Sequence, residues 1–216
     1  VKIIDLVLEK ITHGPIQENT WIVGSKNGLN GVIIDPGFDA LAIIATVDRL
    51  HIIPKMILAT HAHPDHVAVA QELQVHYNIP FALHPDDLPV MQNMPMIANL
   101  IGMGNVEIPA DIIEIVDNQC IEIHDLKITV IHTPGHTPGS VGFIVGDYLF
   151  SGDTLFKDSV GRTDLPGGNW GQLERSLSKL RQLAGDVTIC PGHGETTKLA
   201  REIRFNPFLR DSEQGH

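Results

Sequence analysis

The sequence predicts an α+β fold of two β-rich halves packed sheet on sheet, with helices on the outer faces. Three observations carry this expectation. Short β-rich runs come first and amphipathic helices later, and that order occurs twice along the chain. Hydrophobic residues make up 43% of the 216 and charged residues 19%, which suits a packed core and excludes a disordered or fibrous chain. No apolar run approaches the roughly 18 residues that a membrane span needs. No Ser/Gly/Pro-rich linker and no low-complexity stretch divides the chain, so 1–216 is expected to be a single domain.

The elements follow from local pattern. Runs 2–11, 20–23 and 31–35 read as strands, the last ending at the Pro36-Gly37 turn. Residues 41–51 have helical apolar spacing and stop before Pro54. The run 55–60 (KMILAT) is apolar and short, as in a buried strand; 66–78 is helical and 80–84 returns to strand. Segment 92–109, with two prolines, two glycines and three methionines, is read as a helix plus a loop near the surface, a candidate flap. The second half restarts with strands at 111–116, 121–124, 127–132, 141–145 and 148–151. A helix at 171–184, a strand at 187–190 and a helix at 197–205 complete it.

Charge and cysteine content narrow the function. With 15 basic and 26 acidic residues the formal charge is −11, which argues against nucleic acid as a partner. Cys120 and Cys190 cannot make a disulfide scaffold, and the early acid in Val1-Lys2-Ile3-Ile4-Asp5 is unlike a signal peptide. A cytoplasmic protein with a small-molecule partner and no membrane contact is expected; a homo-oligomer is compatible with the chain. The unusual figure is the 12 histidines.

Their arrangement points to metal. In Thr60-His61-Ala62-His63-Pro64-Asp65-His66, a buried strand passes through a loop into a helix. His61 and His63, two apart, can turn both imidazoles to one side, while Asp65 and His66 can address a second point. Imidazole with carboxylate suits zinc, iron or manganese rather than calcium. Such a run arises by chance in well under about one chain in a hundred. Three later segments place a ligand type at a strand end beside glycine: His136 in Thr133-Pro134-Gly135-His136-Thr137-Pro138-Gly139-Ser140, Asp153 in Ser151-Gly152-Asp153-Thr154, and His193 in Cys190-Pro191-Gly192-His193-Gly194.

These four motifs, in this order, resemble those of the metallo-β-lactamase-fold hydrolases, from the Asp35-Pro36-Gly37 turn to His193. Within that superfamily the chain looks most like small, single-domain members of the glyoxalase II (hydroxyacylglutathione hydrolase) group. The resemblance implies a four-layer αββα sandwich with the site at the mouth between the sheets. It implies two divalent metal ions, zinc first, with iron or manganese as alternatives. His61, His63 and His136 would hold one ion; Asp65, His66 and His193 the other, with Asp153 bridging. Asp65 and Asp153 are the expected catalytic carboxylates, and Asp35 would orient a ligand imidazole. Arg162, in Val160-Gly161-Arg162-Thr163-Asp164, matches the basic residue that contacts the glutathione carboxylate; the alternative is that it pairs with Asp164 or Asp158 and only holds the loop. Departures are Ala68-Val69 where the family carries Gly-Gly, and Asp164 where an aromatic is usual. Full-length glyoxalase II has a further helical domain that helps grip glutathione; this sequence stops at His216, so that grip is expected to be missing or replaced. The same G-R-T-D string resembles the mononuclear-iron persulfide dioxygenases, a second enzyme class that also uses glutathione.

Two ions about 3.5–4 Å apart can share a hydroxide and lower its pKa toward neutrality. No motif supplies a separate acid for a leaving group, which leans towards thioesters, because a thiol of pKa near 8.5 leaves without one. A non-catalytic metal-binding module is the third possibility. The other conspicuous residues have plainer readings. His132 reads as structural and His84 as a turn or cap residue. His13, His51, His76 and His124 read as surface or packing residues, Trp21 and Trp170 as packing, Cys190 as inert on a buried strand, and the 198–204 run as a solvated helix face.

Overall fold

In the computed structural model, which describes residues 5–209, two six-stranded sheets face each other. The first holds β1 (Leu6–His13), β2 (Glu18–Ser25), β3 (Asn30–Ile34), β4 (Ile53–Leu58), β5 (Phe81–Leu83) and β6 (Ile112–Glu114), side by side in chain order. The β1–β3 ladders are antiparallel; from β3 to β6 the strands are parallel. The second holds β7 (Cys120–Ile123), β8 (Leu126–His132), β9 (Val141–Val145), β10 (Tyr148–Gly152), β13 (Thr188–Pro191) and β14 (Thr197–Lys198). Its order is β14-β13-β10-β9-β8-β7, with only β10 and β13 parallel. β11 (Leu155–Phe156) and β12 (Ser159–Val160) form a separate hairpin.

Strand alternation builds the layers. On β2, Trp21 and Val23 turn inward and meet Val130, Phe143 and Phe150 of the second sheet, while Ile22 turns outward. The outward side chains of the first sheet, Ile22, Ile33, Ile57 and Phe81, are covered by α1 (Ala40–Leu50), α3 (Ala70–Tyr77) and α4 (Leu88–Leu100). Those of the second, Ile131, Leu149 and Ile189, are covered by α5 (Trp170–Leu180) and α6 (Leu199–Phe205). The result is the expected αββα sandwich.

The differences from the expected elements have physical causes. Residues 2–4 of the first expected strand lie outside the described residues. The helix expected over 66–78 is two, α2 (Pro64–Val67) and α3. The chain leaves helical geometry at Val69, whose N–H turns to the Pro36 carbonyl at 3.2 Å. The break lets α2 aim its side chains at the mouth while α3 lays Leu73 on the sheet. α4 starts at Leu88, ahead of the expected 92, because a 3₁₀ turn at Pro85–Asp87 leads into it. Thr197 and Lys198 pair with β13 before α6 begins, and α5 ends at Leu180 in turn hydrogen bonds.

Strand direction positions the site. β3, β4, β8, β10 and β13 end at the same edge of the sandwich, and the loops beyond their carboxyl ends carry the sequence motifs, as in other α/β sheets. Bonds between the sheets close that edge. Val141 N–H donates to the Thr60 carbonyl at 2.8 Å, Asn19 N–H to Gly192 at 2.7 Å, and the Trp21 indole to Pro191 at 3.2 Å.

Candidate metal centre

All seven side chains proposed as ligands meet at this edge. His61, His63 and His136 form one cluster; Asp65, His66 and His193 form another; Asp153 joins His61 and His66 in a third that lies between. In each, one ligand-type atom per residue lies within 4.8 Å of the others. His63 Nδ1 stands 2.9 Å from His136 Nε2, and His66 Nε2 stands 3.3 Å from His193 Nε2. Asp65 Oδ2 lies 3.3 Å from His193 Nε2 and 3.5 Å from His66 Nε2. The Asp153 carboxylate reaches both clusters: Oδ1 is 3.4 Å from His66, and Oδ2 is 3.5 Å from His136 and 3.6 Å from His193.

The donors fit divalent transition-metal ions. His61 Nε2 and Asp153 Oδ1 are buried without a hydrogen-bond partner, an arrangement costly unless something else satisfies them. Space is kept open by Gly192, where a Cβ would lie 2.5 Å from both Asp153 Oδ1 and His66 Cε1. Imidazoles with two carboxylates are the ligand types of zinc, iron and manganese sites.

The imidazoles are aimed from behind. His66 Nδ1–H donates to Asp35 Oδ2 at 3.0 Å. The same carboxylate takes Thr60 N–H and Oγ1–H, each at 2.7 Å. Asp35 sits at φ +52, a left-handed conformation that Asp tolerates better than most residues. His136 Nδ1–H donates to the Arg162 carbonyl at 2.7 Å and His193 Nδ1–H to the Ile16 carbonyl at 3.1 Å. Thr60 Oγ1 lies 3.1 Å from His61 Nδ1.

Electrostatics separates the clusters. Burial, reinforced by the surrounding imidazoles, lowers His61 well below the ordinary histidine value and takes His63 down to about 4, so both are neutral and ready to ligate. Burial presses His66 the same way, but Asp65, Asp153 and Asp35 outweigh it and raise it well above that value. His193 is raised too, by Asp65 and Asp153 against its burial. Asp65, pushed up by burial, is driven lower still by His66 and His193 and stays ionised.

Sequence reasoning missed several supports. Glu18 pairs through its backbone with His193, and burial pushes its carboxyl well above the usual range. Asp87 lies fully buried behind the first cluster. Neither belongs to a motif, because an isolated carboxylate carries no spacing signal.

Arg162 stands in the loop beside His136, but its guanidinium is exposed and held by both oxygens of Asp164, with two contacts of 2.7 Å. His84 caps the 3₁₀ turn and stacks on His132, with centroids 4.1 Å apart and planes 10° apart. With Asp86 they form a fourth group of ligand types, yet lone pairs in parallel stacked rings do not converge, and packing is the better account. Arg201 is paired with Asp158 and Glu202. Trp21 and Cys190 lie in the core, where burial pushes the thiol up to about 12. Trp170 packs on Phe208.

A family model described as the metallo-beta-lactamase superfamily matches residues 13–193. Hydroxyacylglutathione hydrolase GloC of Haemophilus influenzae is 35% identical over 208 residues, covering 94% of this chain and 97% of that protein. Among solved structures, the BLEG-1 B3 metallo-beta-lactamase has a TM-score of 0.86 at 33% identity, covering 94% of this chain and 99% of that one. TTHA1623 in a di-iron-bound form has a TM-score of 0.84 at 38% identity, covering 93% and 100%.

Proposed function

Because the chain belongs to the metallo-β-lactamase superfamily, we propose that it is a dinuclear metal hydrolase that cleaves glutathione thioesters, releasing the thiol and a carboxylic acid. The observation that carries the two-ion reading is Asp153, whose carboxylate lies within 3.6 Å of His66 and His193 of one ligand cluster and of His136 of the other. His61, His63 and His136 would hold one ion and Asp65, His66 and His193 the other. Held there, two such ions would supply a water acidic enough to react near neutral pH and would polarise the acyl carbonyl. Asp65 and Asp153 add negative charge that balances the ions, and Asp35 keeps the His66 imidazole aligned. Among the described residues, the three groups of ligand types at this edge hold no acid beyond the proposed ligands, which suits a thiolate leaving group. The name of GloC supports the glutathione thioester, and the di-iron form of TTHA1623 supports a pair of ions with iron admissible beside zinc. The likeness to BLEG-1 makes a β-lactam the control substrate of choice.

Protein purified without added metal should carry two equivalents of zinc, iron or manganese by elemental analysis. It should release thiol from an acyl-glutathione faster than it opens a β-lactam. One equivalent of iron together with oxygen consumption on glutathione persulfide would replace this reading with the dioxygenase. Bound metal with no turnover of ester, thioester or lactam would leave a binding module.

A further inference from the structure

We infer that Asp87 is a positioning residue that clamps together the two loops carrying His61, His63 and His136, and thereby sets the affinity of that ion site and not of its neighbour. The inference rests on the metal-centre reading above and assigns a role to a residue outside every motif.

Asp87 ends the 3₁₀ turn between β5 and α4 and has no exposed surface. Its Oδ2 accepts the N–H of Ala62, the residue between His61 and His63, at 2.8 Å. The same oxygen accepts the Thr137 hydroxyl, one residue past His136, at 2.9 Å. Its Oδ1 accepts the Gly139 N–H at 2.7 Å. One carboxylate thus ties a loop of the first sheet to a loop of the second, at the residues adjoining all three histidines.

The fit demands this side chain. All three partners are donors, and a carboxylate is the side chain with two oxygens that only accept. Asparagine would set an amide N–H₂ against a backbone N–H on one loop or the other. Glutamate would be too long, because the Gly139 loop lies directly on Asp87: a Cβ on Gly139 would fall 2.5 Å from the Asp87 nitrogen and 2.8 Å from its Cγ. The same turn grips the second loop at another point. His84, its capping residue, stacks on His132, whose Nε2–H donates to the Pro138 carbonyl at 2.9 Å. The second cluster has other supports. His66 is held by Asp35 and His193 by Ile16, and neither touches Asp87.

The test titrates metal-free full-length protein with zinc against a chromophoric chelator. Wild type should take two equivalents. Asp87→Asn should weaken one equivalent by about 10- to 100-fold, the usual cost of losing a partner behind a metal ligand, and leave the other within about threefold. Placed in a His193→Ala background, which keeps the all-histidine site, Asp87→Asn should weaken the remaining ion; in a His136→Ala background it should not. If Asp87→Asn fails to fold, Thr137→Val, which removes one of the three donors, should produce the same selective loss at smaller amplitude. Equal weakening of both equivalents would reduce Asp87 to a general stabiliser and overturn the inference, as would no weakening. Wild-type protein that takes up no zinc would instead remove the metal-centre reading, and this inference with it.

Discussion

Arg162 has a partner of its own, and that bears on what it can bind. Asp164 holds the guanidinium with two parallel contacts, and Arg162 in turn draws the Asp164 carboxyl down to about 2. A substrate carboxylate must share or displace that partner. If Arg162 grips glutathione, Asp164→Ala should lower KM for an acyl-glutathione, and Arg162→Ala should raise it by about 10- to 100-fold with kcat within a few-fold. A small thioester without the peptide carboxylate should respond to neither change. Equal damage to both substrates would make the pair a loop brace and take the guanidinium out of recognition. Asp153 is tested more directly. Asp153→Asn keeps the shape but offers a poorer ligand, so metal content should fall and activity drop below about a tenth. Elemental analysis with steady-state rates checks both; full metal with high activity would sink the bridging role.

Elements act on the site through the loops they hold. α5 and its N-cap support the His136 loop: Asn169 N–H donates to the Gly135 carbonyl at 2.8 Å and the Ser176 hydroxyl to the Pro134 carbonyl at 2.7 Å. Gly135, at φ +141, lies so close to α5 that a Cβ would fall 2.4 Å from the Leu173 backbone. Gly135→Ala should therefore displace the loop and weaken metal binding at the His61, His63 and His136 cluster. Leu177, one turn further along the same helix, is buried in the outer core. Leu177→Ala should cost about 2–5 kcal/mol in urea unfolding and leave zinc affinity unchanged. If both variants lost metal alike, the site would depend on global stability rather than on this loop contact.

At the scale of the whole molecule, ions bound between the sheets would tie the two halves together, since each cluster takes ligands from loops of both. Chelation should then lower the thermal midpoint. An ion at 100 times its dissociation constant stabilises by about 2.7 kcal/mol, which for a chain of this size is roughly 5–10 °C per site in calorimetry. No shift on chelation would argue against metal holding the sheets together. The two sites should also part company with pH. His66 and His193, raised by their carboxylates, keep a proton that metal must displace, and that competition grows as pH falls. Burial holds His61 well below the ordinary value and His63 down at about 4, so these two ligands stay neutral further into acid. Zinc should leave the Asp65, His66 and His193 cluster first as pH drops from 8 towards 5. The reverse order, followed by titration in single-site variants, would contradict this assignment of the electrostatics.

The candidate ligands and the layer order were legible in the chain because both leave a local pattern. The spacing in His61-Ala62-His63-Pro64-Asp65-His66 and the glycines beside His136, Asp153 and His193 are short-range features, and strands followed by helices, twice over, imply two covered sheets. The break at Val69 was not legible, since it answers to a hydrogen bond with Pro36, far back in the chain. Nor was the pairing of Arg162 with Asp164 decided by their proximity in sequence, because rotamer and loop shape choose the partner. Asp87 and Glu18 were invisible for the same reason. A buried carboxylate acquires its role from donors brought in by distant strands, here Ala62 and Gly139 for Asp87, and only the folded chain brings them within hydrogen-bonding distance.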